Sequence, residues 1–134
     1  MPKLHCALLV DDDTTTNYLN RRLLEKLAVA DLVRVARNGR EALDVLAAEC
    51  AEPSHTCPVL IFIDINMPVM NGLEFLEAHQ HLKLPQKRVI IMLTTSLHPR
   101  DLQRLAALPV AGLLTKPLTA QKVEEVLQAH FSEA

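Results

Sequence analysis

Short apolar runs alternate along the chain with segments in which apolar residues recur at helical spacing. The runs are rich in Val, Ile and Leu and predict five β-strands. They are LHCALLV (4–10), LVRVA (32–36), VLIFI (59–63), VIIML (89–93) and AGLLT (111–115). Several are apolar at nearly every position, which is typical of a parallel sheet whose two faces are both covered.

The segments between the runs predict five helices, each with apolar residues on one face. The residues that share a face are Leu19, Leu23 and Leu27; Ala42, Leu43, Leu46 and Ala47; Leu73, Phe75 and Leu76; Leu102, Leu105 and Ala106; and Val123, Val126, Leu127 and His130. Helix-start signals lie at Asn38, Pro99 and Thr119. Strands and helices in alternation imply right-handed βαβ crossovers and a doubly wound α/β sheet.

Length and charge narrow the class of protein. The 134 residues fit one domain, which we expect to span residues 1–134 with no second domain. Fourteen basic and sixteen acidic residues give a net charge of -2, which argues against a nucleic-acid partner. The apolar stretch before Asp11 is too short for a signal peptide, and no run approaches the ~18 residues of a membrane span.

The cysteines bear on the compartment of the protein. Cys6, Cys50 and Cys57 are odd in number and lack the spacing of a disulfide framework. We interpret them as reduced thiols of a cytoplasmic protein. A zinc site formed by Cys50, His55 and Cys57 is a weaker alternative, because the usual paired ligand spacing is missing.

Reactive side chains follow four of the five predicted strands. They are Asp11, Asp12 and Asp13 after the first strand, Asp64 after the third, Thr94, Thr95 and Ser96 after the fourth, and Lys116 after the fifth. In an open parallel sheet, ligands bind beyond the carboxyl ends of the strands. We therefore expect these side chains to meet at one rim, although Asp13 is also a good candidate for a helix cap.

This set of side chains suits only a few kinds of binding site. Crowded carboxylates repel each other unless a cation lies among them, and oxygen ligands without His or Cys favour Mg²⁺, or Mn²⁺, over zinc. A lysine supplies a positive charge for an anion, and a threonine hydroxyl can donate one hydrogen bond to it. The set therefore predicts a site that holds a phosphoryl group on, or next to, a carboxylate.

Four motifs in this order resemble the receiver domain of two-component response regulators. They are LLVDDD (8–13), IDINMPVMNG (63–72), MLTTS (92–96) and TKP (115–117). The steps of thirty residues from Asp64 to Thr94 and twenty-two to Lys116 are also similar to that family. ARNGREAL (36–43) and TSLHPRD (95–101) resemble single-domain, chemotaxis-type receivers. The resemblance implies a flavodoxin-like fold with five helices and strand order 2-1-3-4-5.

The resemblance implies a magnesium site. Asp12 and Asp64 would bind Mg²⁺ directly, and Asp11 would act through a water molecule. The backbone carbonyl of Asn66 would complete the ligands from the protein. Mn²⁺ could replace Mg²⁺ at such a site.

The resemblance also implies phosphoryl transfer to Asp64 from the phosphohistidine of a sensor histidine kinase or a histidine phosphotransfer protein. Thr94 would bind a phosphoryl oxygen, and Lys116 would pair with the phosphoryl group. The Lys116–Pro117 peptide bond is expected to be cis. The chain would not be an enzyme in the ordinary sense, because it would catalyse only its own phosphoryl transfer and autodephosphorylation.

The resemblance places the downstream protein partner on a face built from the fourth helix, fifth strand and fifth helix. The exposed residues expected on that face are Leu97, Arg100, Leu102, Arg104 and Lys122. No output domain is expected after the last helix, so the output would be a protein–protein interaction. A homodimer through the same face is a further option.

Two residues depart from the family pattern. Leu113 stands where many members carry an aromatic residue three positions before the lysine, so the aromatic part of the usual switch is absent. Thr95 stands where a smaller residue is common, and its branched side chain is expected to narrow access to Asp64.

Other functions are alternatives to a phosphorylation-dependent change of a protein-binding surface. A phosphorelay shuttle or sink would use the same residues. A pseudo-receiver that only binds other proteins would normally have lost an acid or the lysine. An aspartyl-phosphate phosphatase would place a second acid two residues after the nucleophile, where this chain has Asn66.

Overall fold

The computed structural model describes residues 3–82, 84, 87–95, 103 and 110–131. The strands are β1 (Leu4–Val10), β2 (Ala30–Ala36), β3 (Leu60–Asp64), β4 (Val89–Thr94) and β5 (Gly112–Thr115). The helices are α1 (Thr14–Lys26), α2 (Gly39–Glu49), α3 (Gly72–Gln80) and the C-terminal helix (Ala120–Phe131). The predicted fourth helix, with Pro99, Leu102, Leu105 and Ala106, lies outside the described residues, as do Ser96, Leu97, Arg100 and Arg104.

The strands form one parallel sheet in the order β2-β1-β3-β4-β5, which confirms the predicted doubly wound topology. Successive residues of β1 face opposite sides: Leu8 packs with the residues under α2 and α3, and Leu9 packs with those under α1 and the C-terminal helix. All five residues of β3 are buried. None of the helices in the described ranges is long and apolar enough to cross a membrane.

The helix-start signals at Asn38 and Thr119 are confirmed, and a further cap lies at Asn71. Asn38 accepts a hydrogen bond from the N–H of Glu41 at the start of α2. Thr119 accepts one from the N–H of Lys122 at the start of the C-terminal helix. Asn71 and Glu74 form a reciprocal capping box at the start of α3. Each cap satisfies N–H groups that have no partner within the helix.

The buried face of α1 differs from the prediction. Leu19 is 59% exposed, whereas Asn17 and Leu24 are buried. Asn17 lies seven residues before Leu24, so both share the core-facing side of α1. The Asn17 amide donates to the carbonyl of Asp11 at 2.8 Å and to that of Ala36 at 3.3 Å. A polar residue on this face thus ties together the ends of β1 and β2.

Helix α1 is followed, two residues after its end, by an alanine in the left-handed conformation. Ala28 has φ of 53°. Its N–H bonds the carbonyl of Glu25, and the next N–H, of Val29, bonds that of Leu24. This is the Schellman arrangement, in which glycine is usual because it has no Cβ to clash.

We expect Ala28→Gly to stabilise the protein by about 0.5–1 kcal/mol, because glycine relieves the strain of a positive φ. The matched control is Ala47→Gly within α2, which should destabilise by about 1 kcal/mol, since it only weakens a regular helix. Urea unfolding followed by circular dichroism measures both. A loss of stability in the Ala28 variant would contradict the strain argument.

The interpretation of Cys50 and Cys57 as reduced thiols is wrong in this structure. The two residues form a disulfide, with Cα atoms 4.9 Å apart. Cys50 caps the end of α2, and Cys57 precedes β3, so the loop between them brings the thiols together. Their sulfurs are therefore not free for zinc. Cys6 remains a free, buried thiol, and burial raises its pKa to about 11.

We expect the double variant Cys50→Ala, Cys57→Ala to lose about 2 kcal/mol of stability, because the bond restricts the unfolded chain across a short loop. A reducing agent should lower the stability of the wild type similarly and leave the double variant unchanged. Alkylation of the unfolded wild-type protein without prior reduction, read by intact mass, counts the free thiols. Three alkylated cysteines would contradict the disulfide.

Candidate functional site

The three aspartates after β1 divide into separate roles. Asp13 caps α1, as predicted: its carboxylate accepts from the N–H of Thr15 at 3.0 Å and the hydroxyl of Thr16 at 2.8 Å. These hydrogen bonds, first that from the Thr16 hydroxyl, lower the pKa of Asp13. Asp11 is buried and accepts from the N–H of Asp13 at 2.9 Å. Asp12 is exposed and lies at the rim.

Asp64 lies at the end of β3, 8% exposed. Burial raises the pKa of its carboxyl group, and the charge of Asp11 raises it further. The charge of Lys116 and a hydrogen bond from the Asn66 N–H act in the opposite direction. Asp64 is therefore a carboxylate whose charge depends on the cations placed beside it.

The turn after Asp64 is held by close backbone contacts. The N–H of Gly72, at the start of α3, donates to the carbonyl of Ile65 at 2.9 Å. The N–H of Gly39, at the start of α2, donates to the carbonyl of Met70 at 2.8 Å. Val69, between these contacts, is 80% exposed and has φ of 67°. Two helix N-termini thus fix the turn that presents Asp64.

Lys116 joins the ends of β1 and β3. Its Nζ lies 2.6 Å from Oδ2 of Asp11 and 3.3 Å from Oδ2 of Asp64. Burial disfavours the ammonium, but the hydrogen bond to Asp11 and the charges of both carboxylates outweigh it and raise the pKa of Lys116. The Lys116–Pro117 bond is cis, as predicted. The lysine is positioned to neutralise a pair of buried acids.

The acidic cluster could hold a divalent cation. Within the described part of the chain, Asp11, Asp12 and Asp64 are the one group of this kind, with ligand oxygens within 4.8 Å of one another. Three carboxylates without His or Cys suit Mg²⁺ or Mn²⁺. Burial, first, and the charge of Asp11 beside it both raise the pKa of Asp64, and a bound cation would favour the charged form instead. The residues therefore fit the predicted cation.

Two threonines border the site at the end of β4. Thr94 is 1% exposed, and its carbonyl accepts from the N–H of Lys116 at 2.8 Å. Thr95 is exposed and lines a groove with Lys116 and Pro117. The structure thus brings together all the described residues predicted for the site: Asp11, Asp12, Asp64, Asn66, Thr94 and Lys116.

Sequence reasoning missed Asn17, whose side-chain amide donates a hydrogen bond to the backbone carbonyl of Asp11. Its signal was present: a polar residue seven positions before Leu24 interrupts the apolar face of a predicted helix.

Lys122 was predicted to be exposed on the output face. Instead it is half-buried, and its ammonium donates to the carbonyls of Thr115 and Pro117.

Comparison with known proteins supports the resemblance to receiver domains that the sequence motifs indicated. The family model of the response regulator receiver domain matches residues 7–128. The chain belongs to the response regulator receiver domain family. It is therefore a CheY-like receiver of two-component signalling, as the sequence motifs predicted.

Several relatives of this receiver match it over most of the length of both chains. It is 30% identical over 125 residues to a probable chemotaxis protein CheY of Rhizobium etli, covering 93% of this chain and 91% of that protein. It is 32% identical to a CheY homolog of Campylobacter jejuni, covering 90% and 88%. A two-component response regulator from Cytophaga hutchinsonii is similar in structure, with a TM-score of 0.85 at 30% identity, covering 98% and 100%.

Proposed function

We propose that Asp64 accepts a phosphoryl group from the phosphohistidine of a sensor histidine kinase or histidine phosphotransfer protein, and that this changes a protein-binding surface. The observation that carries the proposal is the contact of one ammonium, that of Lys116, with both Asp11 and Asp64 at the carboxyl edge of the sheet. Such an edge is where ligands bind in this fold.

The chemical step needs little covalent machinery from the protein. A carboxylate oxygen of Asp64 forms a bond to phosphorus while the phosphorus–nitrogen bond of the donor breaks, and the imidazole leaves with the electron pair. Lys116 pairs with the phosphoryl oxygens as charge moves onto them. Thr94, at the end of β4, donates its hydroxyl to a phosphoryl oxygen.

The cation site completes the charge balance. Asp11, Asp12, Asp64 and the backbone carbonyl of Asn66 would hold Mg²⁺, or Mn²⁺ in its place. A bound divalent cation supplies positive charge beside the phosphoryl group. The chain acts on itself, through phosphoryl transfer and autodephosphorylation, rather than on a separate substrate.

An apolar groove beside the site supports docking of the donor protein. It has a volume of about 540 Å³ and is lined by Leu19, Leu23, Leu118, Thr95 and Lys116, among others. Leu19 is 59% exposed, although it belongs to an amphipathic helix. The exposed side chain of Leu19 is therefore available for contact with a partner protein. A donor seated here would face Lys116 and Asp64.

Intact mass tests the proposal. The protein is incubated with phosphoramidate, with and without Mg²⁺, beside the Asp64→Asn variant. We expect the wild type to gain one phosphoryl group only with Mg²⁺, and the variant to gain none. No gain by the wild type, or an equal gain by the variant, would overturn the proposal and favour a receiver that only binds other proteins.

Thr95 is expected to restrict small donors. It is exposed and lines the groove next to Lys116. We expect Thr95→Ala to raise the rate of phosphorylation by acetyl phosphate by about three- to tenfold, because a smaller side chain widens access to Asp64. The rate with a phosphohistidine protein donor should change less. Equal rates for variant and wild type with acetyl phosphate would contradict this role.

A further inference from the structure

Lys122 occupies an electrostatically unfavourable position. It is the third residue of the C-terminal helix, which begins at Ala120, and its N–H donates to the hydroxyl of Thr119 at 3.3 Å. Cations in the first turn of a helix oppose the helix dipole. The third position after a threonine cap is also where a glutamate or glutamine would complete a capping box. Helix stability alone therefore does not explain a lysine here.

The ammonium of Lys122 instead binds the turn that carries Lys116. Its Nζ donates to the carbonyl of Thr115 at 2.7 Å and to the carbonyl of Pro117 at 3.0 Å. These carbonyls belong to the residues immediately before and after Lys116. One side chain thus bridges both sides of the residue that reaches the carboxylates.

The turn at residues 115–117 is also attached to β4, since Thr115 pairs with Thr94 in the sheet. Pro117 has no N–H to donate, so on that residue only the carbonyl can be held. On the other side, the N–H of Lys116 donates to the carbonyl of Thr94 at 2.8 Å. Lys116 is consequently fixed to β4 by its own N–H and to the C-terminal helix through Lys122.

Placement of the backbone matters because the lysine side chain is long and flexible. Lys116 contacts Asp11 at 2.6 Å and Asp64 at 3.3 Å. A displacement of about 1 Å in a group that stabilises a transition state can cost a factor of order 10² in rate. A loosened turn would let the ammonium leave the acids and lower its effectiveness toward the phosphoryl group.

We propose that Lys122 is a positioning residue, which holds the turn at residues 115–117 so that the ammonium of Lys116 points at Asp64. This inference rests on the proposed phosphoryl transfer for its effect on rate. Its effect on the turn itself does not depend on that function. In this role Lys122 acts on the turn that carries Lys116.

The test compares Lys122→Met, which keeps much of the apolar stem, with Lys122→Arg, which keeps the charge and the donors. Gln121→Met is the matched control, because Gln121 is the preceding helix residue, is exposed, and contacts only Glu125 among the hydrogen bonds described for its side chain. Thermal unfolding of all variants shows whether they remain folded.

The first readout is amide hydrogen exchange of Lys116 in the protein without added cation, measured by NMR. We expect Lys122→Met to speed exchange at this amide by at least about fivefold, with wild-type values in Lys122→Arg and Gln121→Met. Unchanged exchange in Lys122→Met would overturn the inference, whether or not the protein accepts a phosphoryl group.

The second readout is the initial rate with phosphoramidate at saturating Mg²⁺, together with the Mg²⁺ dissociation constant from calorimetry. We expect Lys122→Met to slow phosphorylation at least about fivefold without weakening Mg²⁺ binding, and Lys122→Arg to restore the rate to within about twofold. A fall in rate matched by weaker Mg²⁺ binding would indicate general disruption and overturn the positioning role. Absence of phosphorylation in the wild type would refute the proposed function and leave amide exchange to decide the inference.

Discussion

Gly72→Ala is expected to destabilise the protein by about 3 kcal/mol and to abolish phosphorylation of Asp64. A Cβ on residue 72 would lie 2.5 Å from the carbonyl oxygen of Asp64, 2.6 Å from Cε of Met92 and 3.1 Å from Cα of Ile65. Two of these neighbours are backbone atoms of the strand end and turn. Relief of the clash must therefore move α3 away from Asp64 or displace the reactive residue.

Urea unfolding measures the stability of this variant, and intact mass after incubation with phosphoramidate and Mg²⁺ measures its phosphorylation. Gly112→Ala is the matched control, because among the described residues a Cβ there would meet Cδ1 of Ile91, at 3.2 Å, and no backbone atom. That contact is with the end of a flexible side chain, so we expect a change below about 1 kcal/mol. Equal losses in the two variants would refute the argument from backbone contact.

Lys116→Met is expected to have the second large effect. In the absence of Mg²⁺ we expect it to lose about 2–3 kcal/mol of stability at neutral pH, because Asp11 and Asp64 would lose the ammonium between them. The pKa of Asp64, already raised by burial, would rise further. An acid with a raised pKa in the folded state costs stability as pH increases above its unfolded pKa. The variant should therefore recover stability in acid.

The gain in stability on adding Mg²⁺ tests the role of Lys116 in the Lys116→Met variant. In the wild type a cation must compete with Lys116 for the same carboxylates, which lie 2.6 Å and 3.3 Å from its Nζ. We therefore expect saturating Mg²⁺ to stabilise the variant more than the wild type, while phosphorylation becomes much slower. Lys3→Met, which removes an exposed ion pair with Asp31, is the control and should change little. A variant that Mg²⁺ stabilises no more than the wild type would contradict the competition.

The strands of the sheet could be predicted because their determinants are local, whereas the strand order was implied by the family resemblance. Strands that are apolar on both faces are visible as runs, and β1 begins and ends where the run LHCALLV does. The placement of Asp11, Asp64 and Lys116 at one edge then follows from the rule that parallel strands end on the same side. To predict that these residues lie together, it was enough to know that each one is at the end of a strand.

The features that escaped prediction depend on distances across the fold. The disulfide between Cys50 and Cys57 requires a loop that returns the chain to the end of α2. The role of Lys122 requires a side chain that turns back toward residues before its own helix. For Leu19, periodicity alone did not show which side of α1 faces the core. In the structure the polar Asn17, rather than Leu19, lies on the core-facing side.

The contact between Lys116 and Asp11 joins residues 105 positions apart. Contacts of such long range are slow to establish in folding, because closing a long loop of chain costs entropy first. During synthesis, Asp11 and Asp64 leave the ribosome well before Lys116 does, so a nascent chain carries the acids without their ammonium. The order of synthesis thus makes the last strand the element that completes the receiver site.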